Sequence, residues 1–112
     1  KNNRTRHFVT VPDPFQFGGN TVFFAAQSAT NFAGNSFSLS KKEIMLLRLL
    51  IEHANEVVTR EKILQLVWGY QVYPTTRTID NFILNFRKYF EQDARNPLHF
   101  ISIRGVGYKF QD

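Results

Sequence analysis

Cysteine is absent from the 112 residues, which excludes a disulfide framework and a thiolate metal site. No apolar run approaches the ~18 residues of a membrane span, and no secretory leader pattern opens the chain, so no membrane partner is expected. Histidine is scarce and scattered. His7, His53 and His99 stand far apart, with no paired carboxylate beside them, and each reads as a surface or packing residue. Gly105-Val106-Gly107 is half of a phosphate-binding fingerprint but falls in a hairpin rather than between a strand and a helix. Neither an enzyme nor a cofactor is expected. The most local absence is charge: between Phe15 and Ser40 there is no Asp, Glu, Lys or Arg.

What is present is a net charge of +5 and a pI near 9.8 in a length that suits one domain with one core. That balance suits an anionic partner; it permits nucleic acid without requiring it. The opening segment, Lys1 to Pro14, is polar, basic and without a sustained period. It reads as a linker from an upstream domain, with residues 15–112 as the folded unit. Its Asn3-Arg4-Thr5 triplet matches a glycosylation acceptor, a match of little weight without a secretory signal.

The uncharged segment is punctuated at Gly18-Gly19-Asn20 and Gly34-Asn35, with Phe and β-branched residues between, which predicts short antiparallel strands. Its phenylalanines suit core and interdomain packing better than a base-stacking platform, which would set basic residues among them. Ser40-Lys41-Lys42-Glu43 is a capping box opening a broadly apolar helix to about Ala54. Glu56-Val57-Val58 is long enough only for a short strand. Thr59 caps a second helix, Arg60 to Trp68, which Gly69 stops.

A third helix is expected over residues 76–92. Ile79, Ile83, Phe86 and Phe90 form one narrow apolar stripe, and Arg77, Thr78, Asn81, Asn85 and Lys88 fall on the opposite side. Asn bonds adenine edges, Thr serves either edge, and Arg and Lys take phosphate or guanine. An ordinary solvated face, by contrast, mixes both charge signs. His99 to Ile103 alternates, residues 104–107 turn, and Tyr108-Lys109-Phe110 returns as a hairpin. Three helices and then a hairpin is the order of a winged helix-turn-helix, an α+β fold whose third helix enters the major groove.

The signatures Ser40-Lys41-Lys42-Glu43, Thr59-Arg60-Glu61, Val67-Trp68-Gly69, Arg77-Thr78-Ile79-Asp80 and Arg104-Gly105-Val106-Gly107-Tyr108 follow in order. From Phe15 to Phe110 the chain resembles the C-terminal effector domain of OmpR/PhoB-family response regulators. That resemblance implies an N-terminal four-stranded antiparallel sheet, three helices and a β-hairpin wing (residues 99–110) at the minor groove. It also implies a cytoplasmic transcription factor of a two-component system. An upstream receiver domain, phosphorylated by a sensor kinase, would drive dimeric pairing on direct-repeat half-sites of double-stranded DNA.

Carried over position by position, the resemblance implies backbone contacts from Trp68, Arg77, Arg87 and Tyr108, to which the outward helix face adds Lys88. Arg104 would reach the minor groove, and the loop Tyr70, Gln71, Val72 and Tyr73 would meet RNA polymerase or shape the approach to DNA, with a packing loop as the competing reading. Thr78, Asn81 and Asn85 are the base-edge candidates. Competing structural readings stand beside several of these: an ion pair for Arg87, core packing for Trp68 and Tyr108, and pairing of Arg104 with Asp80 or Glu91. Asp80, a carboxylate ill suited to DNA, is expected to hold a neighbouring Arg. The chain departs from many family members in placing Phe82, Leu84 and Asn85 where cations or a His are common. Phe82 or Leu84 can touch a thymine methyl or pack on a sugar. A winged helix serving only as a protein-interaction module, or binding RNA, remains the alternative.

Overall fold

The computed structural model describes residues 11–69 and 75–112. The uncharged stretch folds as four antiparallel strands in sequential order: β1 (Phe15–Phe17), β2 (Asn20–Phe23), β3 (Ser28–Thr30) and β4 (Ser36–Ser38). The register Phe15↔Val22, Val22↔Ala29 and Ala29↔Phe37 brings four apolar side chains into one row on one face. Packing begins before Phe15. Val11, inside the expected linker, is buried, and the Asp13 carboxylate accepts from the Phe24 and Ala25 amides at 2.9 and 3.0 Å.

Helix α1 (Lys41–Glu52) carries the expected capping box in both directions, Glu43 N to Ser40 Oγ at 3.1 Å and Ser40 N to Glu43 Oε1 at 2.8 Å. Leu46, Leu47, Leu49, Leu50 and Ile51 are all buried, which accounts for the breadth of its apolar face. A short strand β5 (Val57–Thr59) follows, and the Thr59 side chain accepts from Lys62 N to cap helix α2 (Arg60–Ile63).

The second helix departs from expectation. Only its first four residues are α-helical, and Leu64–Trp68 continue as a π-helix closed by Gly69 N to Leu64 O at 2.9 Å. Lys42 Nζ bonds the Val67 carbonyl at 2.8 Å within this wider turn. Apolar spacing over five residues does not separate an α from a π turn. Helix α3 (Thr76–Phe90) then precedes β6 (Phe100–Ile103) and β7 (Gly107–Phe110). The hairpin is joined by β5 into a second sheet of order β5-β7-β6.

One aromatic cluster holds these layers together. The Phe17 ring lies 5.4 Å from Phe90, 5.9 Å from Phe100 and 5.0 Å from Phe110. Such pairs contribute roughly 0.5–1.5 kcal/mol each beyond their burial. A single ring from the first sheet is thus fastened to the far end of α3 and to both strands of the hairpin.

Candidate nucleic-acid interface

Helix α3 buries Ile79, Ile83, Phe86 and Phe90, the stripe expected from spacing. At about 100° per residue, the direction opposite that stripe is occupied by Lys88 and Asn81, with Arg77 close beside them. Arg77, Asn81 and Lys88 are exposed, whereas Thr78 and Asn85 are half-buried. Leu84 lies in the same outward arc and is 51% exposed. No ion pair is made by Arg77 or Lys88 among the described residues.

The flank toward the wing is bonded throughout. Asp80 accepts a hydrogen bond from the Tyr108 hydroxyl, and Arg60 Nε lies 3.5 Å from the same carboxylate. The Arg60 guanidinium also sits 4.9 Å from the centre of the Tyr108 ring, a cation–π contact. Burial raises the Tyr108 phenol pKa, helped by Asp80 and opposed by Arg60. Asp80 therefore holds an arginine, as expected, and that arginine is Arg60. About two turns further on, Arg87 Nε and Nη2 donate to Phe100 O at 2.9 and 2.8 Å, and Nη2 reaches Ser102 Oγ at 3.0 Å.

The helix ends at Phe90, two residues earlier than spacing suggests, because Glu91 leaves it with φ −91° and ψ 138°. Its buried carboxylate then accepts from the amides of Leu98, His99 and Phe100 at 2.8–2.9 Å. Asn20, fully buried, donates to Phe90 O at 3.0 Å and accepts from Phe32 N. Asn31 donates to Tyr89 O at 3.0 Å. The last carbonyls of α3 are thereby capped by the first sheet.

In the wing, β7 starts at a glycine because a Cβ on Gly107 would lie 2.0 Å from the Val58 carbonyl oxygen. Gly105, at φ +75°, lets the chain turn directly after Arg104. Arg104 stands exposed at that tip. Both carboxylates that could have held it are engaged elsewhere, Asp80 with Arg60 and Tyr108, Glu91 with three amides.

The structure therefore sorts the expected residues. Arg77, Asn81, Lys88 and Arg104 are exposed, with Thr78 and Asn85 at the edge of the same arc. Arg87 bonds a carbonyl and a hydroxyl, not the carboxylate of the competing ion-pair reading. Tyr108 is 4% exposed and bonded through its oxygen. Trp68 is half-buried, edge-on to Phe82 at 5.2 Å and beneath the Lys42 ammonium at 6.0 Å. Tyr70, Gln71, Val72 and Tyr73 lie outside the described residues, as does His7. The sequence alone assigned Arg60, Asn20 and Asn31 no part in holding α3. Both asparagines stand in the uncharged stretch, but nothing local marks them as partners of carbonyls 58 and 70 residues away.

Residues 34–110 match the family model described as transcriptional regulatory protein, C terminal. The response regulator DrrB, an OmpR/PhoB homologue of Thermotoga maritima, is 34% identical at a TM-score of 0.74 over 88% of this chain. The chain spans only 44% of that protein's length. The DNA-binding domain of Bacillus subtilis CssR is 31% identical, with a TM-score of 0.65 over 77% of this chain and 92% of that one. The DNA-binding domain of CpxR from E. coli is 29% identical, at 0.70 over 90% and 98%.

Proposed function

Since this chain belongs to the family of C-terminal domains of transcriptional regulatory proteins, of the OmpR/PhoB response-regulator type, we propose that it binds double-stranded DNA sequence-specifically. Helix α3 enters the major groove and the wing lies at the adjacent minor groove. Arg77 and Lys88 take phosphates, Asn81, Asn85 and Thr78 meet base edges, and Arg104 reaches the minor groove. Trp68, Arg87 and Tyr108 serve chiefly as the frame that aims these groups. The observation that carries the reading is the outward arc of α3, cationic and amide-bearing with no carboxylate at its centre, beside a wing tip bearing an exposed arginine.

In the longer protein, a receiver domain answering to a sensor kinase would control dimeric pairing on direct repeats, with Tyr70 to Tyr73 offered to RNA polymerase. The reading is tested by titrating the chain with duplex DNA between about 50 and about 200 mM salt. Affinity should fall steeply and linearly on a log–log scale, by about 0.9 in slope per phosphate neutralised. A flat line contradicts DNA binding and favours a protein-interaction module.

A further inference from the structure

The large apolar side chains of α3 are hidden with one exception. Ile79, Ile83, Phe86 and Phe90 are each at most 1% exposed and Phe82 packs on Trp68, whereas Leu84 is 51% exposed. Its place on the helix matters more than its exposure, since single exposed leucines are common. At about 100° per residue, Leu84 projects within about 50° of the direction opposite the buried stripe, as close as Asn85 and closer than Thr78. Lys88 lies one turn beyond it and Arg77 about two turns before. It sits on the wing side of the arc, whereas Asn85 and Thr78 lie on the side of Phe82 and Trp68. An isobutyl group there meets whatever the flanking cations bring against the helix.

Resting on the reading of α3 as a major-groove helix, we propose that Leu84 is a specificity-determining residue that reads thymine through its C5-methyl group. The major-groove edge of a base pair presents one apolar group, and it belongs to thymine. A leucine offers no hydrogen bond to phosphate or to any polar base edge, so a methyl is the feature it discriminates. The choice of thymine at that position arises from apolar contact, while Asn81 and Asn85 select their bases by hydrogen bonding.

The test uses the 112-residue chain and a duplex enriched by it from a random pool. Each thymine is replaced in turn by deoxyuridine, which removes the methyl and leaves base pairing intact. At one position the replacement should weaken wild-type binding about 3- to 5-fold, the worth of one buried methyl-sized group. The Leu84→Ala variant should bind the parent duplex more weakly and be indifferent to uracil at that position, with its responses elsewhere unchanged. Its melting temperature should match wild type, because the side chain is half exposed. Wild type binding with a steep salt slope but insensitive to every uracil overturns the proposal and leaves the DNA reading standing. So does a Leu84→Ala variant with the wild-type uracil response, which would place Leu84 on a deoxyribose. Failure to enrich any duplex overturns both.

Discussion

Along the wing-side flank of α3 and its C-terminal end, Asp80, Arg87 and Glu91 each bond another element. A quarter-turn away, Arg77, Asn81 and Lys88 stand in the open. The two regions use similar residue types and treat them oppositely. In the first, a carboxylate or guanidinium is satisfied within the fold, and its removal strands a partner. In the second, the donors face solvent. Buried polar groups lacking partners are expensive, so the bonded set is the one the fold depends on. The exposed set can then change its sequence preference without disturbing the fold.

The largest effect should come from Glu91. Replacing it with Ala leaves three amides without acceptors in a buried site, at a cost of about 3 kcal/mol or more. The melting temperature should drop by roughly 12 °C or more. Glu91→Gln keeps one carbonyl acceptor and should recover part of the loss. A melting temperature within a degree or two of wild type would break the contrast between the two regions.

Tyr108→Phe should cost less, about 1 kcal/mol, because Arg60 still pairs with Asp80. Its pH dependence sharpens the comparison. Burial and Asp80 raise the phenol pKa in the folded state, so the neutral phenol contributes stability that is fully present below about pH 10. That contribution is lost as pH rises through the folded value. Alkaline melting curves of Tyr108→Phe should therefore fall less steeply with pH than those of wild type. Tyr89, whose pKa is also raised by burial with help from Glu43, leaves a residual slope in both.

Much of this frame was legible from short-range signals and the remainder was not. The capping box at Ser40 spans four residues and the stripe of α3 repeats every turn, so both could be read locally. The bond from Asn20 to Phe90 O joins positions 70 apart, and no local pattern announces it. Glu91 looks like a helix former. It leaves the helix because the amides of residues 98–100 offer its carboxylate three bonds. The π turn at Leu64–Trp68 was invisible for a related reason, since its apolar pattern fits either winding. The outward arc was the most legible part of the site, because helical spacing alone places it. Which of its neighbours were already bonded required the third dimension.

The wing should show the smallest effect. Arg104→Ala should leave melting unchanged and weaken binding a few-fold, mainly on A/T-rich flanks where the minor groove is narrow and most negative. Arg104→Lys should recover only part, since a strongly hydrated ammonium is harder to strip of water there. Loss of melting temperature without any change in flank preference would move Arg104 into the frame.

Arg77→Ala and Arg87→Ala each remove one guanidinium from the same helix, so measuring melting temperature and salt slope for both compares the two regions directly. Arg77→Ala should keep the wild-type melting temperature and make the slope shallower by about 0.9. Arg87→Ala strands the Phe100 carbonyl and should lower melting by on the order of 5–10 °C while the slope stays as in wild type. Two variants that melt alike and lose equal slope would show that the bonded and exposed arginines do the same work.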